Sequence, residues 1–152
     1  YKRQLQYVTG LNQKRVWDHV TNADHAQVTL TFTDGVQAIF TNSDLAAARK
    51  PKYFILGTKG SIVGDWDLSA GESVADLPAK ISIHRADGTV DAIPLRYLEP
   101  YAFHESLVAR INEGKTMSVT STQSRDVVAI MQAAEESALK NGLPVTAKLL
   151  RA

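Results

Sequence analysis

The feature that most constrains this chain is a two-residue alternation on either side of Asp34-Gly35. Ala26, Val28, Leu30 and Phe32 interleave with His25, Gln27, Thr29, Thr31 and Thr33, and Val36, Ala38 and Phe40 resume the apolar series after the turn. Successive side chains of a strand point to opposite faces, so the pattern predicts two antiparallel strands sharing one apolar face. The turn is expected to be a two-residue hairpin with glycine at positive φ. A second Asp-Gly pair, Asp87-Gly88, links Lys80–His84, where Ile81 and Ile83 alternate with Lys80, Ser82 and His84, to a return strand over Val90–Pro94. Between these lie Tyr53-Phe54-Ile55-Leu56, Gly57-Thr58-Lys59-Gly60 and Ser61-Ile62-Val63-Gly64, which predict a hairpin buried on both faces. Lys14–Val20 also alternates and predicts a strand. Tyr1–Val8, closed by Thr9-Gly10, reads as the end of a helix begun upstream, so the chain is expected to be truncated. The Gly, Ser, Ala and Asp-rich stretch Asp67–Pro78 reads as a surface loop.

After Glu99-Pro100 the period changes. Phe103, Leu107, Val108 and Ile111 recur at helical spacing and Gly114 supplies a stop. Ser124 is the expected N-cap of a second helix, with Asp126 in its first turn, a core stripe of Val127, Met131, Ala134 and Ala138, and a stop at Asn141-Gly142 before Pro144. Strands first and helices after predict an α+β fold over residues 1–152 as a single domain: an open, mostly antiparallel sheet with helices packed on one face. Thr29, Thr31, Thr33, Gln37, Ile39, Thr41, Lys80, Ser82 and His84 would share the uncovered face. That surface, polar yet rich in β-branched residues, is expected to meet a second subunit or another domain.

Composition excludes several classes of function. With 17 basic and 16 acidic residues and a net charge of +1, nothing concentrates the chain on nucleic acid or an anionic membrane. The sequence has no cysteine, which removes disulfides, thiolate catalysis and Cys-based zinc sites and agrees with a reducing compartment. No apolar run approaches the about 20 residues needed to span a bilayer, and YKRQLQYVTG lacks a signal-peptide core. His19, His25, His84 and His104 show no HxxxH or HExxH spacing, and neither GxxxxGK[ST] nor GxGxxG occurs. Residue chemistry alone identifies no catalytic constellation. The candidates for lining a pocket are Ser43, Lys50, Lys52 and Trp66, with Arg49 in the same basic run: hydroxyl and ammonium groups near a strand end suit sugar hydroxyls or a carboxylate, and an indole stacks on a sugar face. Trp17 is the second candidate ring.

Three segments in order, FTDGVQAIFTNSD, KYFILGTKGSIVGDW and YAFHESLVARINEGKTMSVTSTQSRDVVAIMQAAEESALKNGLPV, resemble the C-terminal half of Gfo/Idh/MocA family oxidoreductases, including a close at Ala133–Val145 similar to A(A/I)xxSAxxGxPV with one more residue before Gly142. The resemblance implies a cytoplasmic NAD- or NADP-dependent dehydrogenase of a sugar, inositol or related polyol. Its cofactor would sit on an N-terminal Rossmann domain outside this sequence, and this chain, inactive alone, would shape the substrate pocket and join subunits. The catalytic Lys would lie in that domain. The His of the family's GxxHxxD helix would fall immediately before Tyr1, and Arg3 stands where the family's Asp is expected, a departure from the ordinary dehydrogenase pattern. A reading from another class is a non-catalytic binding or dimerisation module that uses the open sheet face.

Overall fold

The computed structural model describes residues 3–67, 79–95 and 99–150. Seven strands precede two helices: β1 (Leu5–Gln13), β2 (His25–Phe32), β3 (Gln37–Ser43), β4 (Tyr53–Gly57), β5 (Gly60–Trp66), β6 (Ala79–Arg85), β7 (Val90–Ile93), α1 (Ala102–Glu113) and α2 (Ser121–Leu139). The expected α+β, antiparallel architecture is present, with the strands divided between two sheets, β1-β2-β3 and β4-β5-β6-β7. The chain forms two compact units, Tyr1–Ala46 with Phe103–Ala152, and Ala47–Ala102.

In the first unit the alternation sets the register. Val8 opposes Leu30, Gly10 opposes Val28, and Val28 and Leu30 oppose Phe40 and Ala38, which puts these residues on one face. Against that face α2 lays Ala133 and Ala134, which with Val8 form the buried centre, flanked by Leu5, Val28, Leu30, Ile130, Val145 and Ala147. Gly10 lets the helix come this close: a Cβ there would lie 2.0 Å from the carbonyl oxygen of Ala134. Ser137 completes the seam, its buried hydroxyl accepting the Gly10 N–H at 2.9 Å and donating to Leu143 O at 2.7 Å. The returning chain then pairs Val145 with Val8 across β1's free edge. On the opposite face Thr29 pairs with Ile39 and Thr31, itself buried, with Gln37, whereas Lys80, Ser82 and His84, expected on the same face, stand on β6 of the other sheet.

Several local expectations are overturned. Leu5–Gln13 is a strand, not the end of a helix; its face against α2 carries Val8 and Gly10, a two-residue repeat that a helical reading of so short a segment misses. Lys14–Val20 is a loop, wrapped around the buried carboxylate of Asp24, which takes up N–H groups that a ladder would otherwise use. Both Asp-Gly hairpins have the longer loop. Gly35 N–H bonds Phe32 O while Phe32 N–H bonds Val36 O, and Gly88, Arg85 and Thr89 repeat the arrangement. Only the glycines, at φ 81° and 86°, enter the left-handed region, whereas a two-residue type I′ turn needs both central residues there. β4 is exposed at every residue, so the hairpin with β5 forms but is not buried on both faces. The loop expected over Asp67–Pro78 lies, beyond Asp67, outside the described residues.

The helices follow the same logic. α1 ends where expected, with Gly114 at φ 70°, but buries none of its residues. α2 begins one turn before Ser124: Thr120 is the N-cap, and its hydroxyl accepts from Gln123 N–H while the Gln123 side chain accepts from Thr120 N–H. Asp126 is consequently not in the first turn. It is buried, with Oδ1 accepting the Leu150 N–H at 2.8 Å. The inward stripe is Asp126, Ala133, Ala134 and Ser137, leaving Val127 and Met131 exposed, because Ala, Ser and Gly permit the closer approach to β1. Thr120→Ala should remove one half of this reciprocal cap and cost about 1 kcal/mol in urea unfolding.

Candidate functional site

Trp66 closes β5, where its backbone pairs with Ala79 of β6. Its indole Nε1–H donates to the Lys50 carbonyl at 2.9 Å, which ties the segment before β4 to the end of β5. Over the ring stand the Lys52 ammonium, 4.2 Å from the centroid, and the Arg49 guanidinium at 5.6 Å. The structure thus gathers Lys50, Lys52 and Trp66, with Arg49 added, in the second unit. Lys52 and Trp66 are half-buried, while Arg49 and Lys50 are exposed. Ser43, the fourth expected residue, ends β3 in the first unit, paired with His25, and its hydroxyl accepts the Leu45 N–H at 3.4 Å. Two carboxylates flank Trp66 in the sequence: Asp65 Oδ1 accepts the Trp66 backbone N–H at 2.8 Å, and Asp67 pairs with Lys80 at 3.1 Å. An aromatic face set among cations with adjacent hydrogen-bonding groups can hold a polar ring compound or an anion.

The histidines form no site. His84 Nε2 lies 3.0 Å from Ser82 Oγ on one strand face, His104 stacks edge-on to Phe103, and His19 lies in the exposed loop. Among the described residues no three His, Asp or Glu side chains converge as metal ligands. Arg3 is ion-paired with Asp34 of the first hairpin turn.

Two features of the first unit had no spacing signature in the sequence. Asp24 is 1% exposed; its Oδ2 accepts N–H bonds from Arg15, Val16 and Trp17 at 2.8, 2.6 and 3.0 Å, and its Oδ1 is buried without a partner. Burial pushes this carboxyl up, and the N–H groups of Trp17, Val16 and Arg15 outweigh it and hold it below the usual carboxylate value. Nearby, Asn12, Gln13, Lys14, Thr21, Asn22 and Glu135 line an open cleft of about 520 Å³, closed on one side by an Asn12–Glu135 hydrogen bond of 2.6 Å. It contains no aromatic residue and none of the expected site residues.

Every described strand pairing is antiparallel and no GxGxxG occurs, so these residues do not make the parallel βαβ cradle of a dinucleotide. No described helix is long and apolar enough to cross a membrane.

Residues 3–63 match the family model of the GFO/IDH/MocA C-terminal domain. No curated protein matches the sequence. Among solved structures, the candidate oxidoreductase yvaA of Bacillus subtilis is 21% identical with a TM-score of 0.76, over 95% of this chain and 46% of that one. An NAD-binding protein from Listeria innocua is 18% identical with a TM-score of 0.69, over 97% of this chain and 42% of that one. The UDP-N-acetylglucosamine 3-dehydrogenase of Acidithiobacillus ferrooxidans is 15% identical with a TM-score of 0.64, over 90% of this chain and 41% of that one. The chain spans less than half the length of each of these structures. Residues 3–63 are thus similar to the GFO/IDH/MocA C-terminal domain, and nearly the whole chain shares the fold of these solved structures.

Proposed function

We propose that this chain is the substrate side of an NAD- or NADP-dependent oxidoreductase acting on a sugar, inositol or related polyol. The observation that carries the reading is the family match over residues 3–63. Hydride transfer needs a nicotinamide held against the substrate, and the cofactor belongs to another part of the polypeptide, as the antiparallel strands here offer it no cradle. The relatives support this assignment: one is named an NAD-binding protein, another an NADPH-dependent oxidoreductase from Desulfitobacterium hafniense, and a third a dehydrogenase of a nucleotide sugar. In this reading Lys50, Lys52 and Trp66 of the second unit contact the substrate. The open face carrying Thr29, Ile39 and Thr41 joins copies of the chain, and the enzyme works in the cytoplasm. Ile39, 64% exposed on that face, supports an interface role.

The test is nicotinamide reduction by the polypeptide that contains this chain, assayed against a panel of sugars and inositols. Turnover with at least one of them is expected, and Trp66→Ala should raise KM about tenfold with kcat little changed, since the ring binds and does not react. A polypeptide that binds neither NAD nor NADP while forming a specific dimer through the open face would overturn the enzymatic reading in favour of a binding module.

A further inference from the structure

The close of α2 selects two residues for their backbone conformations and thereby assembles a reactive pair. Asn141 and Gly142 follow the helix at φ 57° and 82°, the left-handed region that asparagine tolerates and glycine enters freely. They are the one Asn-Gly pair in the sequence. In such a pair the following backbone nitrogen readily attacks the asparagine side-chain amide, because glycine has no Cβ to obstruct the approach. We propose that Asn141 is a deamidation site whose reaction is gated by the seam between α2 and β1.

In the reaction the Gly142 nitrogen bonds to Asn141 Cγ, its proton passes to the departing Nδ2, the Cγ–Nδ2 bond breaks and ammonia leaves. Water then opens the cyclic imide at either carbonyl to give aspartate or isoaspartate. The balance is asparagine plus water to acid plus ammonia, with no oxidant or cofactor. The folded chain blocks the first step. Gly142 N–H is engaged by Ser137 O at 2.8 Å and Asn141 N–H by Ala138 O at 3.2 Å, the pair of bonds that closes the helix, so neither the nitrogen nor the torsions that would carry it to Cγ are free. Ser137 also ties this turn to the sheet, its hydroxyl accepting the Gly10 N–H and donating to Leu143 O. Gly142 lies against the same strand: a Cβ there would be 3.8 Å from Gly10 O. Beyond it Val145 and Val8 exchange both backbone bonds, at 2.8 and 2.9 Å, which pins the segment from the other side. Attack on Cγ therefore waits for local opening of the last turn. Both products carry a new negative charge, and isoaspartate also lengthens the main chain by a carbon atom between Ser137 and Val145, so the opened turn does not close as before.

The experiment incubates the full chain in mildly alkaline buffer, folded and in denaturing urea, and follows residues 137–152 as the peptide released by cleavage after Glu136. Mass spectrometry reads the replacement of amide by acid at Asn141. The modified fraction is expected to grow at least about tenfold faster in urea than in the folded parent. Folded Ser137→Ala should react about fivefold faster than the parent, because the turn has lost its tie to Gly10 and Leu143. Asn141→Gln should leave the peptide unchanged in both conditions. The acidic fraction, separated by ion exchange, should unfold at lower urea than the unmodified chain. No mass change at residues 137–152 in urea overturns the site. Equal rates in the folded and unfolded parent, or a folded Ser137→Ala that reacts no faster than the parent, overturn the gating by the seam. Coincident unfolding curves of the modified and unmodified chains overturn the lasting effect on it.

Discussion

Gly10→Ala is expected to cost about 3 kcal/mol or more in urea unfolding of this chain. The added methyl would sit 2.0 Å from Ala134 O, 2.8 Å from Ala134 C and 3.1 Å from its Cα. All three are backbone atoms, so no side chain can swing aside; α2 must lift from β1 or the strand must bend. Lifting the helix would also strip Gly10 N–H and the Leu143 carbonyl of their shared partner, the Ser137 hydroxyl. The cost is therefore larger than overpacking at a flexible site. Far-ultraviolet circular dichroism across a urea series measures it, and a variant within 0.5 kcal/mol of the parent, as about the scatter of neutral surface changes, would show that the seam is loose.

The second large effect is at Asp24. Asp24→Ala leaves three consecutive N–H groups without their acceptor and should lower the melting temperature by roughly 5 °C or more. It should also open the loop locally, so that trypsin cleaves after Lys14 or Arg15 faster than in the parent. The pH dependence has a defined sign. The folded carboxyl is held below its unfolded value, so its contribution is fully present above the unfolded value, about 3.9, and is lost as pH falls through the lower folded value. Parent and variant melting curves should therefore converge in acid and diverge toward neutral pH. Parallel curves would mean that the carboxylate is not what holds the loop.

The strand pairs around Asp34-Gly35 and Asp87-Gly88 were legible because a period of two and a turn glycine are local properties. The helices were legible in their stops and less so in their starts. Thr120 and Ser124 are both competent caps, and only the reciprocal Gln123 bond decides between them. The inward face of α2 departs from the hydropathy stripe at Val127 and Met131 for a tertiary reason. Val127 and Met131 look like core by hydropathy, but the sheet presents Gly10 there, and only Ala and Ser fit against it. The Asp24 loop left no trace at all in spacing, since a lone acid before a strand binds its N–H groups through the fold. At the site, Lys50, Lys52 and Trp66 were drawn from a basic run and an aromatic at a strand end. Their union, and the part played by Arg49, depends on β5 returning beside the segment that precedes β4.

That union underlies the central proposal, that the ligand meets this chain at the Trp66 corner. Backbone amide hydrogen exchange of the full chain, with and without D-glucuronate, D-glucose or myo-inositol at saturation, tests it most directly. The account predicts protection concentrated at residues 49–53 and 64–67, with little change at residues 12–23. Protection confined to the cleft lined by Asn12, Asn22 and Glu135, or exchange unaltered by every one of these ligands, would contradict it.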